Sequence, residues 1–69
     1  MAQRWFQISG VSELFRATDI AHAAKHGVKL MKREHKSFST LYEVFEDGKV
    51  TLGELQYNLN KGVYEYYRA

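Results

Sequence analysis

The stretch FRATDIAHAAKHGVKLM, residues 15–31, sets the reading of the fold. Thr18 is placed to cap a helix, because its hydroxyl can accept from the unpaired N–H groups of a first turn. Asp19 follows in that turn, where a carboxylate suits the positive end of the helix dipole. Ala17, Ile20, Ala21, Ala24 and Val28 recur at helical spacing and make one shallow apolar face. Lys25 and His26 suit the negative end of the dipole. Gly27 is placed as the residue after the helix, where a left-handed conformation costs glycine nothing. The stretch therefore predicts a helix over residues 18–26, leaving a strand before it and another after it.

Upstream, Arg4-Trp5-Phe6-Gln7-Ile8 has the aromatic and β-branched content of a strand. Ser9-Gly10-Val11-Ser12 carries a turn signal, and Glu13 to Ala17 alternates, with Phe15 and Ala17 on one side. These form an expected N-terminal hairpin. Downstream, Val28 to Arg33 alternates apolar and basic residues and reads as a strand, followed by a polar loop at Glu34-His35-Lys36-Ser37. Phe38 to Phe45 reads as a strand, and Glu46-Asp47-Gly48-Lys49 as a tight hairpin turn that returns Val50 against Val44 or Phe45.

Thr51-Leu52-Gly53-Glu54 matches a capping box. Leu52, Leu55, Leu59, Val63 and Tyr66 then fall at helical spacing, which predicts a C-terminal helix over about residues 52–66. The alternative is a second hairpin, with Asn60-Lys61-Gly62 as its turn and Val63 to Tyr67 as the closing strand. Helix is preferred because Asn58 and Asn60 disfavour strand. The fold class is thus α+β: a small antiparallel sheet, built from a β-hairpin, a short helix and a further β-hairpin, with a C-terminal helix.

The chain has 69 residues, which allows one small domain, residues 1–69. It has no cysteine, so neither disulfides nor thiolate metal sites are available. Small domains without such staples often gain stability by oligomerising, and the aromatic content makes a homodimer or a tight complex an expectation. The N-terminal MAQRWFQISG lacks the apolar core of a secretion signal, and no apolar run is long enough to span a membrane. A cytoplasmic protein is expected. Net charge is +2 overall but unevenly spread. Residues 1–36 hold seven Lys/Arg against three acids, and residues 37–69 hold three against five.

Two side-chain clusters carry the functional reading. Arg16, Lys25, Lys29, Lys32, Arg33 and Lys36 form a basic region that could meet nucleic acid or another anion. Its plainer role is a solvated strand whose lysines discourage edge-to-edge aggregation. Tyr57, Tyr64, Tyr66 and Tyr67 form an aromatic cluster suited to a protein partner, since tyrosine gives large rigid area with a polar handle. A third grouping, Asp19, His22 and His26, falls on one helical face. Two histidines and an acid are weak grounds for zinc, and a solvated helix face is preferred. No metal, cofactor or catalytic residue is expected: there is no nucleophile elbow, phosphate loop or dinucleotide glycine pattern. The sequence therefore points to a non-catalytic binding protein, an inhibitor or adaptor of the kind phages and mobile elements encode. Nucleic-acid binding through residues 25–36 is the alternative, and an oligomer enclosing a small anionic ligand is the third.

Overall fold

Alternating burial picks out the strands. Phe6 and Ile8, then Ser39 and Leu41, then Leu55 are fully buried, and their strand neighbours are not. In a computed structural model describing residues 4–69, the order is β1 (Arg4–Ile8), β2 (Phe15–Ala17), α1 (Ile20–Arg33), β3 (Phe38–Phe45), β4 (Gly48–Asn58) and β5 (Val63–Arg68). Residues 1–3, part of the N-terminal stretch read above for a leader, lie outside the described residues. The strands form one antiparallel sheet in the order β2-β1-β3-β4-β5, with α1 laid across one face. The α+β class holds. The N-terminal hairpin, the Phe38–Phe45 strand and the hairpin that follows it form as expected, but the turn residues are Glu46 and Asp47 with Gly48 already opening β4 opposite Phe45, and Val50 pairs with Glu43 rather than with Val44 or Phe45.

The helix corrects the reading of its own stretch. Asp19, not Thr18, is the N-cap, and its side chain accepts from the His22 N–H at 2.8 Å. The helix does not stop at Gly27 but runs to Arg33, so Val28 to Arg33 is helix and not strand. Its buried stripe is Ala23, Ala24, Gly27, Leu30 and Met31, while Ala21 faces solvent. Gly27 belongs to that stripe because a side chain there would collide with the sheet: a Cβ would stand 2.7 Å from Leu55 Cδ1 and 3.1 Å from Ile8 Cγ2. The true stop lies eight residues on. His35 adopts a left-handed φ of 57°, Lys36 N–H donates to the Met31 carbonyl (2.8 Å), and His35 N–H donates to the Lys32 carbonyl (3.3 Å). That is a Schellman closure with histidine in the usual glycine position.

The C-terminal helix predicted over 52–66 does not exist. Those residues form the β4–β5 hairpin, the alternative reading. Its turn is made by the residues that seemed to argue against strands. The Asn58 side-chain carbonyl accepts from the Asn60 and Lys61 N–H groups at 2.9 and 3.2 Å, and Gly62 takes a φ of 69°. Thr51 to Glu54 is no capping box. Thr51 pairs with Tyr42 and Gly53 with Leu41, so Leu52 is the extra residue of a β-bulge. Leu59 projects from the turn, 86% exposed, and belongs to no apolar stripe.

The core lies between α1 and the sheet. Two polar groups inside it are satisfied. Ser39 Oγ donates to the Ser9 carbonyl (2.9 Å), and Ser9 Oγ accepts from Thr40 N–H (3.0 Å), which locks the end of β1 to β3. Glu43, 9% exposed, receives two hydrogen bonds from Arg4, at 2.9 and 3.0 Å. The Arg4 hydrogen bond holds the Glu43 carboxyl below the usual carboxylate range despite its burial.

Candidate functional site: a basic and aromatic groove

Strand alternation puts Tyr57 on the helix side of β4 and Tyr64 and Tyr66 on the helix side of β5, as the register pairs Tyr57 with Tyr64 and Leu55 with Tyr66. The helix itself passes over the other strands and leaves this corner open. A groove of about 710 Å³ results between α1 and the β4–β5 hairpin. Its floor is apolar, with Ala24, Val28 and Leu55. One wall is the flank of α1 that carries Lys25, Lys29 and Lys32, spaced four and three residues apart. The opposite wall is Tyr57, Tyr64 and Tyr66.

The walls differ in rigidity. Tyr66 OH donates to the Leu52 carbonyl at 2.9 Å, and Tyr64 OH reaches the Lys36 carbonyl at 3.5 Å. Tyr57 meets Tyr64 edge to face, with ring centroids 4.9 Å apart. The aromatic wall is therefore fixed from both ends. The basic wall is exposed, and none of its lysines forms a salt bridge among the described residues. Lys32 Nζ lies 5.6 Å from the Tyr64 ring centre, a cation–π distance that joins the two walls.

The two clusters read from sequence are thus partly merged and partly dispersed. Lys25, Lys29 and Lys32 meet Tyr57, Tyr64 and Tyr66 at the groove. Arg16 is on β2, over the Trp5 ring at 5.6 Å. Arg33 is held by Glu13 and Glu34, at 3.1 and 3.0 Å. Lys36 is half-buried in the loop after α1. Tyr67 points to the other face of the sheet, where its hydroxyl donates to Glu65 at 2.6 Å. That bond, with those from Asn58 and Lys61, pulls the Glu65 carboxyl down to about 2. Glu65 therefore stays ionised beside the groove while its charge is occupied.

Asp19, His22 and His26 do not converge. Asp19 caps the helix, a His22 ring nitrogen lies 3.3 Å from the Thr18 hydroxyl, and His26 stacks on Phe15 with centroids 4.3 Å apart. No group of three His, Asp or Glu side chains is arranged to hold a metal among the described residues. No helix there is long and apolar enough to cross a membrane.

The floor residues were hidden because Ala24, Val28 and Leu55 read as ordinary core. The signal for the aromatic wall was present in VYEYYR, residues 63–68, whose period of two separates Tyr64 and Tyr66 from Tyr67. Comparison of this chain with protein-family models, curated proteins and solved structures gives no match.

Proposed function

We propose that the protein is a non-catalytic binding protein, an inhibitor or adaptor, and that the groove takes an acidic segment of a partner protein. One observation carries the reading: three lysines that form no salt bridge among the described residues face three anchored tyrosines across an apolar floor. Apolar side chains of the segment occupy the floor over Ala24, Val28 and Leu55. Its carboxylates meet Lys25, Lys29 and Lys32, which attract an acidic partner from a distance and fix its direction. The tyrosine wall supplies contact area whose ordering cost is already met, because two of its hydroxyls are bonded within the fold. Nothing in this arrangement calls for bond making or breaking.

Selection of a randomised peptide library on the immobilised protein tests the reading. Enriched peptides carry Asp or Glu beside Leu, Phe or Trp, and they lose retention on a triple Lys25→Glu, Lys29→Glu, Lys32→Glu variant. Peptides without acidic bias, or binding the triple variant equally well, overturn it.

Single-stranded nucleic acid is the second reading, favoured by the placement of Lys32 over Tyr64, which offers a stacking ring next to a phosphate-binding charge. It predicts that a labelled oligonucleotide binds with a salt slope of about −2, from three neutralised phosphates at about −0.7 each. Tyr64→Ala would weaken that binding. No retention at low salt removes it.

A further inference from the structure

The sheet has two unlike edges. β2 closes one edge with only three residues. β5, Val63–Arg68, forms the other with six residues, no proline and an unbroken register to β4. Ala69 N–H donates to the Leu52 carbonyl at 3.0 Å. Backbone groups in an antiparallel ladder alternate in direction. Counting back from Ala69, Tyr67, Glu65 and Val63 direct theirs toward β4. Arg68, Tyr66 and Tyr64 direct theirs outward, where no strand meets them among the described residues. Such a row is a template for another strand.

We propose that β5 is a dimer edge, on which β5 of a second copy pairs antiparallel about a twofold axis at Tyr66. The register follows from charge. An axis at Glu65 would set that carboxylate against its own copy, and an axis at Arg68 would do the same with guanidinium groups. An axis at Tyr64 would run the partner strand into the Asn58–Gly62 turn. An axis at Tyr67 would pair a shorter stretch.

The axis at Tyr66 pairs residues 63–69 and sets Tyr64 beside the partner's Arg68. It also sets Glu65 beside the partner's Tyr67. Both contacts repeat chemistry the chain already uses within itself: a cation over a tyrosine ring, as for Lys32 and Tyr64, and the Tyr67 hydroxyl on Glu65. Val63 and Tyr67, each about half exposed at 48% and 47%, become covered. A twofold axis perpendicular to the sheet keeps both helices on one face. The two five-stranded sheets become one, and the two grooves lie side by side between the helices. This inference stands on the strand edge and does not depend on what the groove binds.

Sedimentation velocity and paired cysteines test it on the whole chain. The wild-type protein should pass from monomer to dimer between micromolar and near-millimolar concentration. Arg68→Pro removes an outward N–H without breaking the β4 ladder, since proline is tolerated where the N–H faces away from the sheet. It should give monomer with an unchanged circular dichroism spectrum. The chain has no cysteine, so introduced ones report without background. Residues 65 and 67 of facing strands form a non-hydrogen-bonded pair, close enough for a disulfide. Glu65→Cys chains mixed with Tyr67→Cys chains should therefore cross-link several-fold more than either alone. A monomer of 8.1 kDa across the range overturns the proposal. So does a dimer in which mixed cross-linking does not exceed self cross-linking. If R68P fails to fold, the cysteine pair decides.

Discussion

Replacing Gly27 by alanine sets two effects of opposite sign against each other. Within a helix, alanine is favoured over glycine by about 1 kcal/mol. Gly27 is inside α1, so propensity alone predicts a more stable protein. Packing predicts the reverse. The new Cβ would stand 2.7 Å from Leu55 Cδ1 and 3.1 Å from Ile8 Cγ2, and both of those side chains are fully buried. Carbon atoms rest at about 3.5–4.0 Å, so Leu55 or the helix must move by roughly an ångström. Overpacking of that kind costs about 1–3 kcal/mol. Taking about 2 against about 1, the net loss is about 1 kcal/mol, which lowers Tm by about 4–8 °C in a domain of this size.

Thermal and urea unfolding followed by circular dichroism measure that loss. A glycine in a left-handed cap would also resist alanine, so the sign alone does not isolate the cause. The double variant does. Leu55→Val clears the space the new methyl needs, so Gly27→Ala with Leu55→Val should lose less than the two losses added. A Gly27→Ala protein with raised Tm, or strict additivity with Leu55→Val, refutes the close approach of helix and sheet.

Gly53→Ala should be worse, because the obstacle is backbone. A Cβ there would collide with the Tyr67 carbonyl oxygen and lie 3.0 Å from Arg68 Cα, so β4 and β5 must part. A loss of about 3 kcal/mol is expected in urea titration, with the Tyr66 ring freed from its place over the glycine. Ser39→Ala removes the donor to the Ser9 carbonyl inside the core and should cost about 1–2 kcal/mol in the same assay. Glu65 has a folded pKa of about 2, below its ordinary value. A depressed carboxylate stabilises the fold above its unfolded pKa, so that contribution is complete above about pH 4.5 and is lost as pH falls toward 2. Glu65→Gln should flatten the urea midpoint over that window, and an unchanged pH profile would show that the three hydrogen bonds on Glu65 are not made in solution.

Phe38–Phe45 was legible as a strand from its aromatic and β-branched content, not from its alternation, since its buried positions include Ser39 and Glu43 while Phe38 and Phe45 are exposed. The helix was legible at its start and not at its end. Glycine normally ends a helix through a left-handed residue, but Gly27 is used for close packing, and the left-handed position is filled by His35. Histidine at such a site leaves no sequence signal comparable to glycine. The β4–β5 hairpin was misread for a related reason. Leu52, Leu55, Leu59, Val63 and Tyr66 fall at helical spacing, yet Leu52 is a bulge and Leu59 a turn residue, so the apparent stripe joins residues with unlike roles. For the groove, both walls were visible in the composition. That they face each other depends on the path of the helix over the sheet, which no local pattern encodes.

That path follows from dimensions. Adjacent strands lie about 4.8 Å apart, so five strands span about 19 Å between the outer strand axes, while a helix with its side chains is about 10 Å across. One helix therefore cannot cover the whole sheet. Ala23, Ala24 and Gly27 bring α1 down onto Ile8 and Leu55, near the middle of the sheet. On the β2 side the gap is closed by Phe15, on which His26 stacks. On the β5 side there is no second helix among the described residues to close it, and Tyr57, Tyr64 and Tyr66 stand over the core's flank instead. Tyrosine suits that position: the ring covers apolar surface, and the hydroxyl reaches a backbone carbonyl, that of Leu52 (which also accepts from Ala69 N–H) for Tyr66 and that of Lys36 for Tyr64. The groove is thus the space left by a single helix on a five-stranded sheet, and β5, the last strand, has an outer edge that no strand meets among the described residues. Both surfaces arise at one end of one sheet, which is why mutations that part β4 from β5, such as Gly53→Ala, should remove groove and edge together, while Lys25→Glu should spare the edge.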